Sequence, residues 1–298
     1  MRVFLTGATG FIGSRIVPEL LGAGHQVLGL TRSDAGERAL FAMGAEAHRG
    51  DIEDLDSLRD GAAGADAVIH TAFDHDFSNF VANCEKDGRV IAALGSALVG
   101  SDRPLLITSG VGLGSNGPGT LATENTFDQD HPNPRIASEL AGARLSEAGV
   151  NVSVVRLPQV HDTVKQGLIS PLIELARQRG VSAFVGEGLN RWSAAPVTDV
   201  APLYRLALER AAPGSRYNAV AEEGVAGRDI ARAIGEGLGV PVVSMSPKEA
   251  EGHFGWLALF AGADMAASSV WTRETLGWTP TGPDLLSDLR AMDYSRVA

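Results

Sequence analysis

Short apolar runs alternate with longer amphipathic stretches through the first half of this 298-residue chain. Residues 3–6, 26–31, 45–50, 67–72, 105–109 and 152–157 read as strands, and helical patterns, the first over 12–21, fill the intervals. These strands are apolar on both faces, which predicts a parallel sheet covered by helices on each side and joined by right-handed crossovers. Beyond Pro158 the pattern loosens. It predicts a helix over 168–179 that carries Pro171, a short strand over 183–185, and a helix over 198–210 with Asp199 near its start. A strand over 217–221 is expected to return to the main sheet. From Glu222 onward a separate lobe is expected, and its best-marked helix opens at Ser246-Pro247-Lys248-Glu249. There serine caps, proline takes the first turn and glutamate sits at the capping-box position. The helix is expected to continue through Phe254, Trp256, Leu257, Leu259 and Phe260, a stripe that reads as core or as the apolar roof of a substrate pocket.

The first strand runs straight into Thr6-Gly7-Ala8-Thr9-Gly10-Phe11-Ile12-Gly13. Gly7 permits a sharp turn, Gly10 lets the backbone approach a pyrophosphate, and Gly13 lets the helix pack close to the strand. The N–H groups at that helix start face the anion. A glycine triplet alone is a weak signal, but a strand before it and a helix after it point to dinucleotide binding. Gly7, Thr9, Gly10, Phe11, Ile12 and Gly13 are the expected contacts. The whole is read as an α/β protein: a doubly wound parallel sheet of the Rossmann type with a smaller C-terminal substrate lobe. Residues 1–160, rejoined by about 194–222, form the dinucleotide-binding part, and 161–193 with 223–298 form the smaller lobe.

A net charge of −11 and a pI near 5.1 lack the basic stripe of a nucleic-acid binder. No two of the 7 histidines stand four apart on one helical face, so no metal is assigned. Cys84 is the single cysteine, which excludes a disulfide within the chain and fits a reducing cytoplasm. The longest apolar stretch, 255–267, is short of a bilayer span and contains Asp264, so no membrane association is expected.

In order along the chain, the glycine motif, Gly50-Asp51, Ala67-Val68-Ile69-His70-Thr71-Ala72, Ile107-Thr108-Ser109, Val155-Arg156-Leu157-Pro158, Val197-Thr198-Asp199-Val200-Ala201 and Leu276-Gly277-Trp278-Thr279-Pro280 resemble the short-chain dehydrogenase/reductase superfamily, in its extended or atypical branch. The resemblance covers most of the chain. It implies that Asp51, with Ile52, meets the adenine, that Thr71, Ala72 and Phe73 line the cofactor, and that Pro158 and Val160 flank the nicotinamide. Asp51 also reads as a turn or cap residue and Thr71 as strand filler. At the end of the second strand stand Thr31-Arg32-Ser33, with no carboxylate to repel a 2′-phosphate. Arg32 and Ser33 can bind that phosphate, which favours NADP(H) over NAD(H).

The superfamily's proton transfer uses a Tyr-x-x-x-Lys pair, and this chain has none. Its tyrosines, Tyr204, Tyr217 and Tyr294, are followed four residues on by Leu208, Ala221 and Ala298. Counted forward from Ser109, which resembles the catalytic serine, the pair would fall near Pro134 and Ser138. A positioned general acid contributes about 10²- to 10⁴-fold, so its loss leaves reductase chemistry feasible but calls for another donor. His161 beside Val160 is the candidate, with Ser109 as its partner at the reacting oxygen. Lys165 reads as a substrate anchor or a solvated charge. Asp74-His75-Asp76, following the fourth strand, reads as a substrate loop or as capping residues; an acidic loop there would favour a cationic acceptor such as an imine. Trp256 and Phe260 are the expected apolar contacts of the substrate.

The expected activity is therefore NADP(H)-dependent hydride transfer to or from a small carbonyl, imine or other activated double bond. The alternatives are a non-catalytic NADP(H) sensor and a nucleotide-sugar epimerase or dehydratase, the latter weakened because it uses the same missing pair. Small residues in the helices over 89–99 and 135–147 suit either a homodimer interface, as in relatives, or packing on the chain's own sheet.

Overall fold

The structure is a computed structural model that describes residues 1–117 and 119–295. Its main sheet contains β1 (Arg2–Thr6), β2 (Gln26–Thr31), β3 (Glu46–Arg49), β4 (Ala67–His70), β5 (Pro104–Gly110) and β6 (Asn151–Leu157), the six strands expected from the apolar runs. After β6 come β7 (Gln159–His161), β8 (Ser182–Val185), β9 (Arg191–Pro196) and β10 (Arg216–Asn218). The last of these returns to the sheet beside β6, as expected. The order is β3-β2-β1-β4-β5-β6-β10 with every pairing parallel. The direction of winding reverses between β1 and β4, and there a crevice opens at the carboxyl ends of the strands.

Two helical layers cover this sheet: α1 (Gly13–Gly22), α2 (Asp34–Met43), α3 (Leu55–Ala63), α4 (Phe80–Ser96) and α5 (Ile136–Glu147). Later in the chain, α6 (Ile169–Arg179) follows β7 and α7 (Val197–Arg210) follows β9. Alternate residues of each strand supply two different cores. Val3, Leu5, Val27, Ile69 and Val155 pack with Ile16, Val200 and Leu203 on one face. Phe4, Leu28, Val68, Ile107 and Val154 pack with Leu58, Ile91 and Leu94 on the other. Burial on both faces is why these strands read as continuous apolar runs, each large side chain contributing about 1.5–3 kcal/mol.

The remaining elements are β11 (Glu222–Ala226), α8 (Gly227–Leu238), β12 (Val242–Met245), α9 (Pro247–Phe254), α10 (Ala258–Ala261), α11 (Val270–Leu276) and α12 (Leu285–Ala291). β9 pairs in parallel with β7 and antiparallel with β11, and β12 lies parallel to β8. Ile173, Trp192, Ile230, Ile234, Leu285 and Leu289 form a third core. Neither small sheet was anticipated as such, since β7, β9, β11 and β12 are short and lack clean periodicity.

Two sequence expectations need correction. The fourth strand ends at His70, so residues 71–76 run as irregular chain over the crevice. The helix opened by Ser246 has its expected capping box, but it stops at Phe254 because Gly255 takes a positive φ of 56°. Trp256 and Leu257 then lie in a 3₁₀ turn and Phe260 in the separate α10.

Candidate functional site

The crevice is a cleft of about 1080 Å³ that runs from the glycine turn across the ends of β4 and β5 to Trp256, Phe260 and Met265. At its base Gly7 holds a φ of +71°, and the Gly10 N–H donates to the Gly7 carbonyl at 2.9 Å. A Cβ on Gly7 would approach Thr71 Oγ1 to 2.7 Å and Ala72 N to 2.8 Å, and one on Gly13 would collide with the Gly7 carbonyl oxygen. No side chain caps α1, and its first turn holds no acidic residue. This helix start adjoins the cleft, which Gly7, Thr9, Gly10, Phe11, Ile12 and Gly13 all line. This cradle fits a pyrophosphate.

Arg32 and Ser33 line the outer end with Asp51 and Ile52. The Arg32 side chain is 83% exposed and its guanidinium lies 3.6 Å from Asp51, a loose pair that leaves it available to another anion. Ser33 caps α2, accepting from Gly36 N at 3.1 Å. Asp51 accepts the Glu53 N–H at 3.0 Å, a turn role that stands alongside any adenine contact, while Asp54 caps α3.

At the inner end, Thr71, Ala72, Phe73, Pro158, Val160, Ser109 and Lys165 line the cleft. Thr71 Oγ1 donates to the Thr6 carbonyl at 2.7 Å and fixes the end of β4 against β1. Ser109 is 3% exposed, and its Oγ has no hydrogen-bond partner among the described residues. A buried hydroxyl left unpaired beside a cleft is placed to bond a ligand. Lys165 sits 5.7 Å from the Phe11 ring centre.

The acidic loop does not supply a free carboxylate. Asp74 bonds Lys86 at 2.9 Å, and that contact holds its carboxyl below the usual range. Asp76 lies outside the cleft lining and accepts from Ser78 N at 3.0 Å and Asn79 Nδ2 at 2.8 Å, capping the turn over 77–79. His75 does line the cleft. Burial, with the cations Lys165 and Arg135, pushes its imidazole down from the ordinary value, so it stays neutral. The expected preference for a cationic substrate loses its basis.

His161 is not at the cleft either. β7 delivers it, fully buried, to α12, where Nδ1 lies 2.7 Å from Asp288 Oδ2. Nor does a tyrosine stand in: Tyr204 is buried in the core with its hydroxyl 2.7 Å from Thr108 Oγ1, and no tyrosine lines the cleft among the described residues.

Two features escaped the sequence reading. Where the tyrosine was sought, Arg135 lines the cleft. Its Nη1 lies 2.6 Å from Asp87 Oδ2, its Nη2 donates to the Thr108 carbonyl at 3.0 Å, and its guanidinium stacks 4.1 Å over the Phe73 ring. Asp87 is 4% exposed; burial pushes its carboxyl up, but Arg135 and His70 outweigh this and hold it well below the usual range. His70 Nε2 is 3.0 Å and Ser138 Oγ 2.6 Å from the same carboxylate. The second feature is the part that Phe77 and Phe80 play in an aromatic wall with Trp256 and Phe260, the two apolar contacts expected from the sequence. Trp256 stacks on Phe77 at 4.6 Å with planes 5° apart, and Phe260 meets Phe77 and Phe80 edge-on. The spacing Phe73, Phe77, Phe80 carried that signal, whereas nothing local marks Asp87 as a partner of Arg135, 48 residues away.

A parallel sheet in this strand order, with an uncapped glycine turn at its switch point, defines a dinucleotide-binding α/β protein. The sequence matches the NAD dependent epimerase/dehydratase family over residues 3–219, and the chain belongs to that family. It is 46% identical over 296 residues, 99% of this chain and 100% of the relative, to Uncharacterized protein C2A9.02 of Schizosaccharomyces pombe. It is 30% identical to the 2-alkyl-3-oxoalkanoate reductase of Stenotrophomonas maltophilia over 72% of this chain and 67% of that one. The fold is similar to that of Thermus thermophilus UDP-glucose 4-epimerase in complex with NAD, at a TM-score of 0.75 and 22% identity, covering 100% and 99% of the two chains.

Proposed function

We propose that the protein is an NADP(H)-dependent oxidoreductase that transfers hydride to or from a small carbonyl compound or other activated double bond. One observation carries the reading: a single cleft joins the uncapped glycine cradle to a buried, unpartnered Ser109 hydroxyl and an apolar aromatic wall. The bound nicotinamide would supply the hydride. The chain supplies the rest: Gly7 to Gly13 hold the pyrophosphate, Pro158 and Val160 flank the ring, and Ser109 bonds the reacting oxygen. The similarity to a 3-oxoalkanoate reductase agrees with carbonyl chemistry.

The choice of NADP(H) is supported by Arg32, exposed at the end of β2, where no carboxylate stands within Thr31-Arg32-Ser33. Asp34, the nearest acid in sequence, is engaged with Arg49 at 3.1 Å. Titration with each coenzyme by calorimetry, followed by stopped-flow oxidation of NADPH against diketones, quinones and cyclic imines, tests the proposal. Tighter uptake of NADPH with turnover of at least one carbonyl acceptor is expected. Coenzyme uptake without turnover of any acceptor would replace the enzyme with a sensor, and no uptake would end both readings.

A further inference from the structure

We propose that Arg135 receives the carbonyl oxygen of the substrate, taking with Ser109 the place of a tyrosine acid, and that the substrate is a planar, aromatic carbonyl compound. The inference rests on the reductase reading of the cleft and adds to it a catalytic residue and a substrate class.

The argument begins with donors. A guanidinium carries five N–H groups in one plane. Asp87, Ser138 and the Thr108 carbonyl occupy part of that set through Nη1 and Nη2, and Nε has no partner among the described residues. Phe73 covers a face of the ion and blocks none of its edge, where Nε and the second Nη2 hydrogen remain unused among the described residues. The side chain is 14% exposed, and that exposure opens into the cleft. Because Nη2 bonds the carbonyl of Thr108, the guanidinium sits against the residue next to Ser109, whose hydroxyl is the other unused donor there. Both groups line the cleft at the carboxyl end of β5.

The geometry is held from behind. Asp87 is buried and ionised, and His70 and Ser138 complete its hydrogen bonding: His70 Nε2 lies 3.0 Å from Asp87, and Thr6 Oγ1 holds the other side of that ring, 2.7 Å from His70 Nδ1. Arg135 is therefore preorganised, so that stabilising a developing anion costs little rearrangement. A bound reduced nicotinamide would supply the hydride to the carbonyl carbon; Arg135 and Ser109 would hold the carbonyl oxygen and stabilise the negative charge that gathers on it. That oxygen then takes a proton from water, which the open cleft admits.

The substrate body follows from the walls. Phe73, Phe77, Phe80, Trp256 and Phe260 bound the cleft beside Arg135, with the Trp256 and Phe77 rings stacked on each other. Such walls favour a planar ring through stacking. Arg135 and Lys165 line that end, while Asp74 and Glu53 share Lys86 further along the cleft, so a partially negative oxygen is welcome beside Arg135.

The test uses full-length protein saturated with NADP⁺ and benzoate as a planar mimic of the developing oxyanion. Calorimetry is expected to show benzoate uptake by the wild type and at least about tenfold weaker uptake by Arg135→Met combined with Asp87→Asn. The double variant leaves no buried carboxylate unpaired, which guards against misfolding, and its NADP⁺ affinity is expected to match the wild type. With NADPH and 9,10-phenanthrenequinone, kcat/KM of the double variant is expected to fall about 10²- to 10³-fold, with partial rescue by added guanidinium. Benzoate affinity unchanged in the variant, or absent in the wild type, overturns the assignment. Benzoate uptake that depends on Arg135 without quinone turnover overturns the reductase reading and upholds the oxyanion site.

Discussion

His161 Nδ1 lies 2.7 Å from Asp288 Oδ2, a buried contact that fastens the strand after the main sheet to the last helix. Removing one partner strands the other, so Asp288→Ala is expected to lower stability by about 1.5–3 kcal/mol. Coenzyme affinity should hold. Chemical denaturation and NADPH titration of the same sample check both halves, and a loss of coenzyme affinity would contradict the placement of His161 away from the cleft.

The same contact predicts a pH dependence. Burial pushes the His161 imidazole below its ordinary value and outweighs the opposing pull of Asp288. In the unfolded chain this histidine takes up a proton as pH falls through about 6.5, whereas the folded protein resists. Its contribution is thus complete above that pH and declines below it, and His75 shifts in the same direction. Tm measured from pH 8 to pH 5 should drop, with a shallower slope in His161→Gln; a flat wild-type profile would refute this.

Gly13→Ala should weaken NADPH binding by at least about tenfold, equivalent to about 1.4 kcal/mol. The new Cβ meets backbone at Gly7 rather than a flexible side chain, so the turn itself must shift. Fluorescence titration of NADPH reads the change.

Arg32→Glu should raise the Kd for NADPH about 10- to 100-fold and leave NADH nearly untouched, since only the phosphorylated coenzyme carries the group that Arg32 would meet. Equal losses for both coenzymes would assign Arg32 to general electrostatics.

Trp256→Ala removes part of the aromatic wall, and an aromatic pair contributes about 0.5–1.5 kcal/mol beyond its buried area. KM for a planar quinone should therefore rise about two- to tenfold with kcat little changed. Steady-state kinetics against quinone and short aliphatic diketone separate this stacking from a general loss of fold.

The main sheet was readable because Val3, Phe4 and Leu5 bury both faces of a strand, and the glycine turn because its backbone demands are local. The small sheet of β7, β9 and β11 was not, since β7 has only three residues and pairs with β9, which lies beyond α6 and β8 in the chain. Ser109 was legible from order along the chain. Arg135 was passed over because its meaning depends on Asp87 and Phe73, which only tertiary structure brings to it. His161 misled for the converse reason: a histidine near a nicotinamide-flanking proline looks catalytic until the direction of its ring is known.

Ala194 and Ala195 of β9 serve different cores, the first packing with Trp192 and Ile234 and the second with Val160 and Val200. Neighbouring residues on one ribbon thereby rivet the two halves of the molecule together. A hinge between these two cores would have to bend this one strand, which pairs with β7 on one side and β11 on the other.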